Sequence, residues 1–301
     1  MSQTLDRTRR ERMTGYACAG LLVLIWAGFG LAGRWAARET GGTVRLTPWD
    51  LAALRFGVAG LVAAGCWAAG LGRGLAVSRG LVLAAVAGLG FALAAYAGFA
   101  FAPAAHAAVL MPGTLPFLVG VGMWAVFGER WERARVLSLA LALAGAVLLG
   151  VEAYGLSGAP AGAWRGDLLF LTASTCWATY TVLARLWGVT AGQAIVHIGL
   201  WCPVLFLPVW WWALPSRLAQ APLAEVVSQG VFQGLVSVVI SLVLYTRALQ
   251  TIGAGRLTTV TALTPGLAGV AAVQLLGEHI GVLAVSGLAL VCLGVAVGVR
   301  R

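Results

Sequence analysis

Lysine is absent from this chain, so its whole basic excess of +10 rests on arginine. Charge of either sign is scarce: charged residues make up 10% of the 301 positions, against 60% hydrophobic, with a mean hydropathy of +0.92. A soluble domain carries roughly a quarter of its residues as charges. So few polar side chains cannot cover a water-exposed surface, which excludes a water-soluble fold and makes the bilayer the solvent for most of the chain. The arginines lie in short runs between apolar stretches, not in the single basic stripe that a nucleic-acid binder needs. The five cysteines form no CxxC pair and no Cys/His cluster, so they read as small apolar residues. The three histidines are isolated from one another, which leaves no metal-ligand spacing. No GxxxxGK[ST] phosphate loop occurs, so ATP is not an energy source held by this chain. A hydrophilic domain, a linker and a low-complexity tract are also lacking.

What the chain has is long apolar runs. A spanning helix needs about 20 mostly apolar residues. On that measure ten spans are expected, near 14–33, 48–69, 80–101, 103–127 and 135–151, then 166–187, 192–213, 226–247, 254–276 and 280–299. The charged start followed by an apolar run resembles a signal peptide, but the run is long and leads into further spans, so it reads as a retained first helix. Arginine placement sets the orientation. With the N-terminus cytoplasmic, fourteen arginines fall on inner segments, five on outer ones, and Arg55 lies within a span. Both termini are therefore expected in the cytoplasm.

An internal repeat organises these spans. Shifting the chain by 149 residues lays Tyr96 on Tyr245, Pro116 on Pro265, Gly120 on Gly269, Gly128 on Gly277, Glu129 on Glu278 and Gly145 on Gly294, without a gap. The shared Pro–x₁₁–Gly–Glu spacing is hard to obtain by chance from apolar composition alone. The halves are expected at 14–151 and 166–299. Five spans per half is an odd number, so the second half must enter the membrane from the opposite side. The expected fold is all-α: a polytopic membrane protein of ten transmembrane helices in two inverted-topology repeats, an architecture suited to alternating access.

Several elements carry a family likeness: Trp26–Ala27–Gly28 in the first span, Pro48–Trp49–Asp50 and Leu54–Arg55–Phe56 at the second, and the fourth-span pattern from Pro103–Ala104–Ala105–His106 through Pro116 to Gly128–Glu129–Arg130. The last has its counterpart in Gly253–Ala254, Thr264–Pro265 and Gly277–Glu278. Through these the sequence resembles the EamA branch of the drug/metabolite transporter superfamily, from about residue 14 to 299. The resemblance implies a secondary transporter of a bacterial inner membrane that usually exports metabolites or amino acids. The second half departs from the pattern of the first in having no partner for Arg55.

The polar and interrupted positions inside spans are the candidate substrate contacts. Arg55 is an expensive charge within a span; it reads either as a carboxylate contact or as a structural arginine paired with Asp50 or a loop carbonyl. His106 offers a group that titrates near neutral pH. Pro116 and Pro265 each break a helix mid-span, and matched breaks in two halves point to a central site. Tyr96, Trp177, Gln233 and Tyr245 are amphipathic or polar groups deep in spans. The cavity is expected between the third, fourth, eighth and ninth helices. Its expected ligand is a small organic metabolite or amino acid, with a coupling proton and a homodimer left open, and with no cofactor, no metal and no nucleic acid. Two rival readings are a lipid-carrier flippase on the same architecture and a membrane-embedded transferase. The enzyme would need a convergent His/Asp/Glu cluster, which the sequence lacks.

Overall fold

The structure is a computed structural model that describes residues 2–37, 46–102, 104–129, 132–157, 162–264, 266–268 and 281–299. It is 87% helix, with no strand among the described residues. The helices are α1 (Ser2–Ala37), α2 (Pro48–Ala68), α3 (Val77–Gly98), α4 (Ala104–Phe127), α5 (Arg133–Ser157), α6 (Ala163–Leu186) and α7 (Ala191–Ala213). The helical stretch Leu223–Thr261 follows and is broken at Gly253, whose φ of 80° and ψ of 162° lie outside the helical region. Glycine is the residue that takes such a φ without a Cβ clash. The break divides the stretch into α8 (223–252) and α9 (from 254). The last helix, α10, is Val282–Val299.

Among the described residues six stretches are long and apolar enough to cross a membrane: Arg10–Phe29, α2, α3, Leu110–Phe127, α7 and Leu223–Thr261. The ten expected from the sequence are therefore met in part. α6 falls short because it is rich in hydroxyls; one of its faces packs on α3 and α4 and the other is exposed. Its Thr172, Thr175, Thr179 and Thr181 each donate to the carbonyl four residues earlier, so none presents an unsatisfied hydroxyl to lipid.

The repeat spacing reappears in the helices. α1 and α6 end 149 residues apart, and α5 and α10 begin 149 apart. α3 loosens to π spacing over Ala84–Gly90, and α8 does so over Val231–Ile240. A shift of 149 lays 84–90 on 233–239. π turns are rare and cluster at functional positions, so their recurrence at one register is a specific likeness between the halves.

Neighbouring helices pair across the two halves. α1 packs on the α8–α9 region, whereas α6 packs on α3 and α4. α2 meets α7 antiparallel: Asp50 reaches Trp210, Phe56 lies 5.3 Å from Phe206 between ring centroids, Gly60 faces Gly199, and Gly192 faces Leu71. α5 meets α10 antiparallel as well, with the Ser138 hydroxyl donating to the Gly294 carbonyl at 2.7 Å. A Cβ at Gly294 would stand 2.7 Å from the Ser138 carbonyl oxygen, and one at Gly145 would collide with the Gly287 carbonyl. Small residues permit this backbone approach, which supplies the van der Waals contact that lipid cannot replace. Gly145→Val should therefore destabilise the protein by about 2 kcal/mol through overpacking. Gly57→Val, which would meet nothing within 4 Å, should leave thermal unfolding in detergent unchanged.

The start of α2 is clasped to the segment after α7. Thr47 and Asp50 form a capping box. The Asp50 carboxylate also accepts from the Ser216 hydroxyl, from the Arg217 N–H at 2.9 Å and from the Trp210 indole N–H at 3.2 Å.

Candidate functional site

A cavity opens toward the end of the bundle where α2, α4 and α6 begin. It encloses about 790 Å³ of empty space, mouth included, and both halves of the chain line it. α1 contributes Trp26 and Phe29, α2 contributes Arg55, and Phe91 and Phe99 come from α3 and the turn after it. α4 adds Met111, Pro112 and Leu115, α6 adds Ser174 and Trp177, α8 adds Ser237, and the α9 region adds Thr264 and Ala268. A smaller cavity of about 330 Å³ adjoins it, lined by Ala87 and Gly88 of the first π segment and by Ser237 and Val238 of the second. Arg55, Trp177 and Ser237 border both cavities, so they stand at the junction.

Arg55 is 5% exposed and is the one charged side chain among the described residues lining these cavities. Its guanidinium lies over the Phe91 ring, 5.8 Å from the centroid, and against the Tyr96 hydroxyl. Tyr96 donates to the Gln233 amide oxygen at 2.9 Å, which turns the phenol proton away and leaves its lone pairs to face the arginine. Among the described residues no carboxylate pairs with Arg55. Asp50, one candidate for that pairing, is held instead by Thr47, Trp210, Ser216 and Arg217. A buried cation without a counter-ion is costly. A charge maintained at that cost inside a span points to a role at a ligand pathway.

Two further donors at the junction are unused. The Trp177 indole N–H and the Ser237 hydroxyl are buried with no hydrogen-bond partner. Trp177 lies edge-on to Tyr245 at 5.3 Å between centroids, close to its hydroxyl but outside hydrogen-bond geometry. The other hydroxyls of the cavity serve the backbone around the helix breaks. Ser174 donates to the Met111 carbonyl at 2.8 Å, and the Thr114 hydroxyl lies 2.9 Å from Ser174. The Thr261 carbonyl, which an unbroken helix would bond from position 265, accepts the Thr264 hydroxyl at 2.7 Å instead.

Below the junction the bundle is closed. Trp26 stacks on Tyr245, and Trp177 packs on Tyr180 at 5.3 Å between centroids. Tyr180, Thr181, Tyr245 and Thr246 are all 0% exposed. The Thr181 and Tyr245 hydroxyls bond at 2.6 Å, while those of Tyr180 and Thr246 lie 3.4 Å apart. Still further along, Arg185 at the end of α6 pairs with Glu129 just after α4 and lies over the Phe127 ring at 4.6 Å. The pair thus ties Glu129 to the other half of the chain.

Of the residues singled out in the sequence, Arg55 and Trp177 line the cavity, Tyr96 and Gln233 form the bonded pair behind Arg55, and Tyr245 belongs to the closed floor. His106 is buried at the start of α4, with Nδ1 2.8 Å from the Asp167 carboxylate; its neighbour Ala107 borders the cavity and His106 does not. Pro116 is buried in α4 one turn below Pro112, and Pro112 is the proline that borders the cavity. Pro265 lies outside the described residues, as do Gly277, Glu278 and His279, but Thr264 and Ala268 on either side of Pro265 line the cavity. The cavity draws on α1, α2 and α6 as well as on the four helices expected. Phe29, Phe91, Phe99, Ser174 and Ser237 were not marked by the sequence, where an aromatic ring or lone serine in an apolar run looks like packing.

The described residues form a helical bundle with several candidate membrane spans and a cavity lined from both halves of the chain. Residues 164–300 match the EamA-like transporter family, part of the drug/metabolite transporter superfamily, so the second half of the chain is similar to an EamA-like unit, and that likeness suggests a membrane transporter of this type. Among curated proteins none matches the chain. A solved crystal structure of another protein is similar over 97% of this chain and 97% of its own, with a TM-score of 0.71 at 23% identity, which establishes a shared fold.

Proposed function

We propose that the chain is a secondary active exporter of a small organic metabolite in a bacterial inner membrane, working by alternating access. It has ten spans in two inverted halves, 14–151 and 166–299, with both termini in the cytoplasm. The antiparallel packing of α2 on α7 and of α5 on α10 supports the inversion. Under the 149-residue shift each of these pairs is a helix and its own copy, and copies that run in opposite directions cross the bilayer in opposite directions. The observation that carries the function is the junction: a buried, unpaired arginine with two unused donors, in a cavity that both halves line.

The same geometry supplies a mechanism. The cavity is open at one end, while the Trp26–Trp177–Tyr245 floor and the Glu129–Arg185 pair close the other. With the N-terminus cytoplasmic, the open end faces outward. Rocking one half against the other would part the floor and open the opposite side, and the π segments and the Gly253 break are where the helices have the slack to bend. Arg55, Trp177 and Ser237 would remain with the substrate throughout, since they border both cavities.

Reconstitution tests this reading. Purified protein in liposomes should move a labelled substrate across the bilayer, faster when a pH gradient is imposed. A rate unchanged by the gradient removes proton coupling, and reporter tags that place the two chain ends on opposite sides of the membrane remove the inverted ten-span arrangement.

A further inference from the structure

We infer that the cavity is built for an organic monocarboxylate with a flat apolar body and no ammonium group. The inference rests on the reading of this cavity as the substrate site. The polar groups at its junction are of one kind. The Arg55 guanidinium, the Trp177 indole N–H and the Ser237 hydroxyl all have hydrogens to give, and the last two have no hydrogen-bond partner among the described residues. Three donor residues that border both cavities, one of them a cation, fit a carboxylate, whose two oxygens accept in the plane of a guanidinium and take further donors at their remaining lone pairs. The Tyr96–Gln233 pair holds the arginine from behind, and Phe91 flanks it, so the fork is pre-set before a ligand arrives.

The rest of the cavity is apolar and largely aromatic. Trp26, Phe29, Phe99, Met111 and Leu115 surround the space beyond the junction, and ring faces at these positions suit a flat hydrocarbon or aromatic body. No carboxylate among the described residues lines either cavity. Of the carboxylates nearest to them, Asp50 bonds at the start of α2, Asp167 to His106 and Glu129 to Arg185, while Glu11 of α1 and Glu225 of α8 line neither cavity. An ammonium group would therefore leave water without a counter-charge and would share the cavity with Arg55. Aromatic faces do attract cations, but the Phe91 face is already taken by the guanidinium. A zwitterionic amino acid would gain the carboxylate contact and lose it again to the buried ammonium.

Isothermal titration of the purified full-length protein with four probes of one size tests this: phenylacetate, phenylalanine, phenethylamine and 2-phenylethanol. Phenylacetate should bind at least tenfold more tightly than each of the others. Arg55→Gln should bring phenylacetate down to the level of 2-phenylethanol, and Arg55→Lys should retain most of the preference. A preference under tenfold for phenylacetate over phenylalanine or phenethylamine overturns the inference, and so does a preference that survives in Arg55→Gln. The two readings fail separately. Selective phenylacetate binding without movement into liposomes sinks the transporter and leaves the ligand class standing. Arg55-independent transport of an amine or zwitterion does the reverse.

Discussion

Arg55→Gln should reduce transport of an anionic substrate by about a hundredfold without lowering the thermal unfolding temperature. Charge-assisted hydrogen bonds contribute roughly 1.5–3 kcal/mol each, and 2.7 kcal/mol is a factor of about a hundred. The stability half of the prediction is the more discriminating. A structural arginine removed from an ion pair leaves a buried, uncompensated charge behind and destabilises strongly. Arg55 has no such partner among the described residues, and Asp50 is occupied by other donors. Removing the guanidinium thus removes a desolvation cost, and the variant should unfold at the same temperature or a higher one. Arg55→Lys keeps the charge but not the planar fork, so it should transport at an intermediate rate. Differential scanning fluorimetry beside a flux assay reads both halves. A variant that unfolds early and transports in proportion to its folded fraction would return Arg55 to a packing role.

Asp50→Ala should have the opposite signature, a loss of stability by about 3–5 kcal/mol with transport falling only as the folded fraction falls. Breaking a buried charged network by deleting one member typically carries a cost of that size. The carboxylate is 0% exposed and ties α2 to the segment after α7 through the Trp210 indole N–H, the Ser216 hydroxyl and the Arg217 N–H, in addition to its capping contacts with Thr47. Alanine would strand these donors where neither water nor lipid replaces the acceptor. Asp50→Asn keeps one acceptor oxygen and should recover part of the loss. Thermal unfolding of the three proteins in the same detergent gives the order wild type, Asn, Ala. An alanine variant as stable as wild type would show that the segment after α7 holds its place without the clasp.

These two residues stand five positions apart on one helix, and their sequence context differs little. Both are charges at or near the start of an apolar run, which is why Arg55 could be marked as significant without being assigned a partner. A charge in a span stands out from composition alone. Whether it is paired depends on what α7 and its following segment bring to Asp50, and no local periodicity encodes that. Glu129 shows the same limit: nothing local in the sequence points to Arg185, which pairs with it from another helix.

The sequence by itself determined that the bilayer is the solvent, that the chain is helical and crosses the membrane several times, and that residue landmarks recur at a spacing of 149. Each follows from composition, run length or residue landmarks such as Pro116 and Gly145, properties that survive without knowing which helix touches which. It also marked Arg55 and Trp177, because a charge and a large amphipathic ring are unusual within spans. Only the tertiary structure decided that the cavity recruits α1, α2 and α6, that Pro112 borders it while Pro116 does not, that His106 is held by Asp167, and that Phe29, Phe91, Phe99 and Ser237 are walls of a cavity and not packing. In a membrane helix nearly every position is apolar, so the amphipathic pattern that separates inside from outside in a soluble helix is weak. Which face meets a neighbour, a cavity or lipid is then set by contacts between helices far apart in the chain.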